Sequence, residues 1–130
     1  MHPLIALLTL LTVLLLMVLM GLVGRARGRY GVKAPATTGP EGFERTFRVQ
    51  MNTQESALMF LPALWTAAAF SLTWLAAVFG AIWLLARVWY AVAYIDPAKS
   101  RAAPFVLSLL ALLALVGQGL WGLGWSLALG

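Results

Sequence analysis

The chain has 130 residues, of which 62% are hydrophobic and only 10% charged, with nine Lys and Arg, four Asp and Glu and a net charge of +5. Soluble domains carry about 25% charged residues. This chain has too few to coat a water-facing surface, which excludes a soluble enzyme, a secreted scaffold and a disordered tail and leaves an integral membrane protein. Cysteine is absent and histidine occurs once, so disulfides, a thiol nucleophile on the chain and a His-rich metal centre are also excluded.

Leu4 to Val23 carries no charge. About 20 apolar residues cross a bilayer core of about 30 Å, so a first span is expected over residues 3–24. The rival reading is a cleaved signal peptide. The run is long for that, lacks a basic start, and is followed by Arg25, Arg27 and Arg29 as a stop-transfer flank. Residues 25–42 are expected to form a loop, punctuated by Gly28, Gly31, Pro35, Gly39 and Pro40.

No charged residue occurs from Ala57 to Ala86, and the apolar character continues past Arg87 to Ile95. That stretch makes about 58 Å of helix at 1.5 Å per residue, too long for one span. The chain must turn back inside it. The expected site is the polar pair Ser71 and Thr73, with Gly80 as the alternative. This places a second helix at 43–71 and a third at 73–95. Asp96-Pro97 ends the third, because the residue before a proline avoids helical geometry. A short basic link leads to a fourth span at 103–129, where Gly117, Gly119, Gly122 and Gly124 imply close helix packing.

The expected fold class is therefore all-α: an integral membrane four-helix bundle of up-down topology, with residues 1–130 as a single transmembrane domain. All nine Lys and Arg fall in residues 25–48 and 87–101. With four spans both regions lie on one side, and the positive-inside rule makes that side cytoplasmic, with both termini opposite. The basic residues flank spans, so nucleic acid is not an expected partner.

The most informative segment is FERTFRVQMNTQESALMFL, Phe43 to Leu61. Arg45, Arg48, Asn52 and Glu55 are spaced i, i+3, i+7 and i+10, which stacks them on one helical face. Gln50 lies off that stripe. Charge inside a membrane faces the bundle interior or a wet cavity. Arg45 fits a ladder of internal ion pairs or a side chain reaching the interface. Arg48, Asn52 and Glu55 together fit a site for a zwitterionic ligand with carboxylates and an ammonium, because Arg forks onto carboxylate and Glu accepts from ammonium. An ion-pair ladder is the other reading of the same three. Pro62 follows on this helix and is expected to kink it. Arg87, Tyr90 and Tyr94, at i, i+3 and i+7, share a face of the third helix. Interfacial aromatics would explain both tyrosines, and Arg87 reads as a buried structural pair or an interface anchor.

These residues resemble a known family. FERTFRVQMNTQE is similar to the signature E-R-x-x-R-x-Q-x-N-x-x-E of the MAPEG superfamily, membrane-associated proteins in eicosanoid and glutathione metabolism. TTGPEGFER at Thr37 to Arg45 resembles the loop entering that family's second helix. ARVWYAVAY at Ala86 to Tyr94, with Arg101 seven residues on, resembles the end of its third. The resemblance implies a homotrimer with glutathione as co-substrate, bound between adjacent subunits near the cytoplasmic side, and no metal. It assigns glutathione binding to Arg27, Arg48, Gln50, Asn52, Glu55, Tyr90 and Tyr94, and activation of the thiol to Arg101. Arg25 or Arg29 could take the part given to Arg27. A trimer of this kind would set the polar stripe of one subunit against the third-helix residues of the next. Ser56 departs from the pattern, standing where the transferase branch has a pocket tyrosine.

The resemblance implies a membrane-bound glutathione transferase, with peroxidase activity on lipid hydroperoxides as a further possibility and a lipophilic electrophile or lipid from the bilayer as partner. The alternative is a non-catalytic lipid-binding or regulatory member. That branch tends to lack the arginine and glutathione residues, which are present here. A small four-span exporter is disfavoured, because its usual intramembrane acid in the first span is missing. A bacterial inner membrane is the expected location.

Overall fold

The computed structural model describes all 130 residues. It consists of four helices joined in sequence: α1 Pro3–Tyr30, α2 Glu41–Phe70, α3 Thr73–Ile95 and α4 Ala102–Leu129. Helices α2 and α3 each pack against all three of the others, whereas α1 and α4 do not touch. The bundle is thus a central α2–α3 pair flanked by α1 on one side and α4 on the other. The short α2–α3 link makes these helices antiparallel neighbours, and the whole runs up and down.

Helix α1 begins where the His2 side chain accepts a hydrogen bond from the Leu4 amide (3.1 Å) and Pro3 occupies the first turn. It corrects one expectation. Residues 25–30 belong to the helix rather than to a loop, so α1 extends well past the apolar span. The backbone keeps its own hydrogen bonds on leaving the lipid, and arginine is a good helix former. Termination waits for Gly31, which adopts the left-handed conformation (φ 67°, ψ 31°) and returns its N–H to the Arg27 carbonyl. Helix α2 likewise starts two residues earlier than expected, directly after Pro40, with Glu41 and Glu44 in its first turn complementing the helix dipole.

By length and composition α1, α3 and α4 can each cross a membrane. Helix α2 is long enough, at 30 residues, but its first half is polar. The face it turns to the other three helices is apolar or Thr, while Glu44, Arg48, Gln54 and Glu55 stay exposed. It runs through Pro62 without interruption.

The chain reverses at Ser71 and Leu72, as the polar pair implied. Gly80 lies in the middle of α3. There it lets Leu8 and Leu64 close in, since a Cβ would sit 2.9 Å and 3.0 Å from their Cδ1 atoms. The reversal is held from α4. The Gln118 amide donates to the Leu72 carbonyl (2.8 Å), and Gly122 lies so close to the Phe70 carbonyl that any side chain there would collide with it. Gly119 packs on Ala67, whereas Gly117 and Gly124 face open space.

The main core joins Ile5 and Leu8 of α1, Phe60 and Leu64 of α2, Trp83 of α3 and Leu112 and Leu115 of α4. Its centre is a parallel stack of Phe60 on Trp83 (3.8 Å, 5°). The Trp83 indole N–H is satisfied by Ser56 Oγ (3.1 Å). Exposed Trp74, Trp121 and Trp125 ring the end that carries the Ser71 reversal, while the Lys and Arg gather toward the other. Tryptophan belts mark membrane–water boundaries, so the two ends of the bundle are chemically distinct.

Candidate functional site

At the basic end, α2, the last turns of α3 and the start of α4 enclose a cleft of about 270 Å³ lined by Arg48, Met51, Asn52, Glu55, Tyr90, Tyr94 and Arg101. Helix α2 presents Arg48, Asn52 and Glu55 along one face. Helix α3 presents Tyr90 and Tyr94 one turn apart, with ring centroids 5.5 Å from each other. Arg101 reaches in from the residue that precedes α4. Its guanidinium carbon lies 4.9 Å from the Tyr94 ring centroid, a cation–π contact that fixes where the charge sits.

Six of the eight residues singled out from the sequence therefore meet in one cleft of one chain. The expectation from the resemblance set the stripe against the third-helix residues of a neighbouring subunit; within the single chain the stripe already meets its own third-helix tyrosines. The link from α2 to α3 is so tight that the two helices run side by side, and the stripe and the tyrosines become neighbours within the chain. The other two lie elsewhere. Arg27 donates to the Ala36 carbonyl (2.8 Å) and packs over the Phe43 ring at 5.1 Å, tying the α1–α2 loop to α2. Gln50 is half-buried and does not line the cleft. Arg25 and Arg29, the alternatives to Arg27, line a different hollow between α1, α2 and α3.

The stripe is not an ion-pair ladder. The one salt bridge in the chain joins Arg45 to Glu41 (2.9 Å) at the start of α2. Arg45 also donates to the Tyr94 carbonyl (3.0 Å), fastening the end of α3 to α2. Arg48, Glu55 and Arg101 stay exposed to the cleft without partners of opposite charge, leaving two cations and one anion to meet a ligand.

Beneath the cleft lies a group that the sequence pattern undervalued. Arg87 is fully buried, yet no acid neutralises it. Its guanidinium donates to Asn52 Oδ1 (2.6 Å), Thr53 Oγ1 (3.0 Å) and Ser108 Oγ (3.2 Å). It also lies 4.2 Å from the Tyr90 ring centroid. By occupying the Asn52 oxygen it orients that carboxamide, with the NH₂ left for other acceptors. The sequence signal was an arginine one turn before Tyr90. Thr53 and Ser108, its hydroxyl partners, carried no signal of their own.

A second, more apolar hollow of about 150 Å³ adjoins the cleft between α2 and α4 and shares Asn52 and Glu55 with it. Ser56, Met59, Phe105, Leu109 and Leu112 contribute to its walls. Ser56 lines this apolar hollow and not the cleft, and the two hollows meet at Asn52 and Glu55.

Three helices of membrane length and a mixed-charge cleft at the basic end define the class, a helical membrane protein. The chain belongs to the MAPEG family, whose pattern it matches over residues 5–121. It is 47% identical over 104 residues to an uncharacterised protein of Synechocystis, covering 80% of this chain and 76% of that one. It is 41% identical over 98 residues to leukotriene C4 synthase of Bos taurus, covering 75% of this chain and 65% of that protein. It is 38% identical over 96 residues to microsomal glutathione S-transferase 2 of Homo sapiens, covering 72% and 65%. The chain thus spans just under two thirds of the length of these two named relatives.

Proposed function

We propose that the protein is a membrane-bound glutathione transferase working as a homotrimer, each chain forming one transmembrane domain with its basic end at the cytoplasmic face of a bacterial inner membrane. The observation that carries this reading is the convergence of Arg48, Asn52, Glu55, Tyr90, Tyr94 and Arg101 on one cleft. The name of one relative, a microsomal glutathione S-transferase, supplies the ligand class.

Glutathione carries two carboxylates, one ammonium and one thiol. Arg48 forks onto a carboxylate, Glu55 accepts from the ammonium, and the Asn52 carboxamide, held by Arg87, donates to a ligand oxygen. Tyr90 and Tyr94 wall the thiol end, where Arg101 stands. Arg27 and Gln50, which lie outside the cleft of their own chain, reach the cleft of the adjacent subunit and complete its contacts.

A free thiol has a pKa of about 8.5 and is mostly protonated at neutral pH. The thiolate is the reacting species. The Arg101 guanidinium favours it by Coulomb attraction, more strongly where water is thinned than in bulk, and arginine keeps its own proton throughout. The thiol proton leaves to solvent. A lipophilic electrophile enters from the bilayer along the apolar α2–α4 hollow, and the thiolate attacks its electrophilic carbon. A C–S bond forms and the leaving group departs with its electron pair, or a strained ring opens and its oxygen takes up a proton. With a lipid hydroperoxide the same thiolate attacks oxygen and breaks the O–O bond. That yields a lipid alcohol and a glutathione sulfenic acid, which a second glutathione converts to the disulfide and water.

The test is direct. Purified protein in detergent is titrated with glutathione by calorimetry and assayed for conjugation of an activated aryl halide. Saturable binding and turnover are expected; absence of both would falsify the proposal.

A further inference from the structure

The basic end carries a second hollow that the cleft does not use. It lies between α1, α2 and α3, has a volume of about 220 Å³, and shares no residue with the cleft. Ile95, which lines it, is five residues from Tyr90, about 140° around α3 at 3.6 residues per turn. Tyr94, the cleft residue next to Ile95, is about 100° from it, so the two hollows use different faces of α3.

Its chemistry is graded along the axis of α1. Leu22 and Ile95 form an apolar floor, and Arg25 and Arg29 stand above it on the same face of α1. From Leu22 to Arg29 the helix rises about 10 Å, and the polar headgroup layer is about 5–8 Å thick on each side of the core. The wall is shaped by Tyr30 lying against Gly42, where any side chain would strike the tyrosine hydroxyl. Neither arginine belongs to the chain's one salt bridge, and Arg29 rests 5.3 Å from the Tyr30 ring centroid.

We propose that this hollow binds the phosphate of an anionic phospholipid, Arg25 and Arg29 forking onto its oxygens while the upper methylenes of an acyl chain lie on Leu22 and Ile95. Guanidinium matches phosphate in two-point hydrogen bonding, and basic pockets between membrane helices suit anionic headgroups. The apolar floor, continuous with the lipid-facing span, selects a lipid over a free anion. The site serves anchoring and lipid selection and does not depend on the glutathione reading.

The experiment is native mass spectrometry of the whole protein in neutral detergent, titrated separately with phosphatidylglycerol, phosphatidylcholine and inorganic phosphate. Phosphatidylglycerol is expected to bind at least tenfold more tightly than phosphatidylcholine, and inorganic phosphate to leave it bound. Arg25→Gln with Arg29→Gln is expected to weaken phosphatidylglycerol binding roughly tenfold or more, as two lost arginine contacts near a membrane surface imply. Lys33→Gln with Lys99→Gln, which removes the same charge outside the hollow, is expected to change binding less than twofold. Thermal unfolding of both variants in detergent checks the fold, and Arg25→Lys with Arg29→Lys, expected to weaken binding to an intermediate degree, replaces the glutamine pair if that pair unfolds. Three outcomes overturn the proposal: equal loss in the lysine variant, equal affinity for the two lipids, or displacement of lipid by millimolar phosphate. A loss of glutathione binding matching the loss of lipid would assign the two arginines to the cleft and overturn it as well.

Discussion

Arg101 and Arg87 are both guanidinium groups set against tyrosine rings, yet their surroundings give them different work. Arg101 is exposed at the rim of the cleft and rests on Tyr94. In the proposed function it faces the sulfur of glutathione. Arg87 is sealed below, its two terminal nitrogens donating to Asn52, Thr53 and Ser108 while Nε has no partner, and it acts by holding Asn52 and Tyr90 in place. Arg101→Ala therefore has a specific signature. Losing a cation near a thiolate raises the thiol pKa by about 1 unit or more, so the rising limb of the rate–pH profile moves to higher pH by that amount. Glutathione binding persists through the α2 contacts, and Arg101→Lys restores part of the shift. A profile that keeps its midpoint while only the maximum falls would assign Arg101 a structural part instead.

At the scale of elements, the turn between α2 and α3 shows how one helix can specify another's end. Neither Gly nor Pro marks Ser71 and Leu72. The specification sits in α4, where Gly122 admits the Phe70 carbonyl and Gln118 satisfies the Leu72 carbonyl. Glycines in α4 are consequently not equivalent. Gly122→Ala forces a Cβ into backbone, which cannot yield as a flexible side chain would, and overpacking of this kind costs about 1–3 kcal/mol. Gly124→Ala meets nothing within 4 Å in the chain. Thermal unfolding in detergent is expected to separate the two, with Gly122→Ala several degrees lower and Gly124→Ala close to the parent. Similar melting of both would mean that the α2–α3 turn has room the geometry denies. The same packing keeps α2 beside α3, and so keeps the stripe beside the tyrosines.

At the scale of the whole molecule, the division of the eight expected residues is informative. The six in the cleft are contributed by α2, α3 and the α4 entrance of one chain, while Arg27 and Gln50 lie away from it. In the proposed homotrimer those two belong to the neighbour's cleft. Mixed trimers test this. Co-expression of Arg27→Ala chains with Arg101→Ala chains creates clefts in which an intact Arg101 meets an intact Arg27 from next door. Activity is expected to recover to a measurable fraction of the parent, although each variant alone is impaired. If the mixture performs no better than the sum of its parts, Arg27 serves only its own loop, as its bond to the Ala36 carbonyl would then fully explain.

What the sequence determined by itself was whatever depends on neighbours along the chain. Solvent preference follows from the scarcity of charge, helix from apolar length, and the common face of Arg48, Asn52 and Glu55 from helical periodicity. The Asp96-Pro97 stop is local as well. The end of α1 was less legible, because hydrophobicity reports where lipid ends and the backbone's hydrogen bonds decide where the helix does. Tertiary structure alone decided what depends on distant partners. Arg45 took Glu41 and the Tyr94 carbonyl in place of a place in a ladder, and Arg87 took three neutral oxygens in place of an acid. Stripe and tyrosines met within one chain, on two helices far apart in sequence. The physical reason is common to all of these: periodicity states which face a residue occupies, but only the packing of helices states what that face meets.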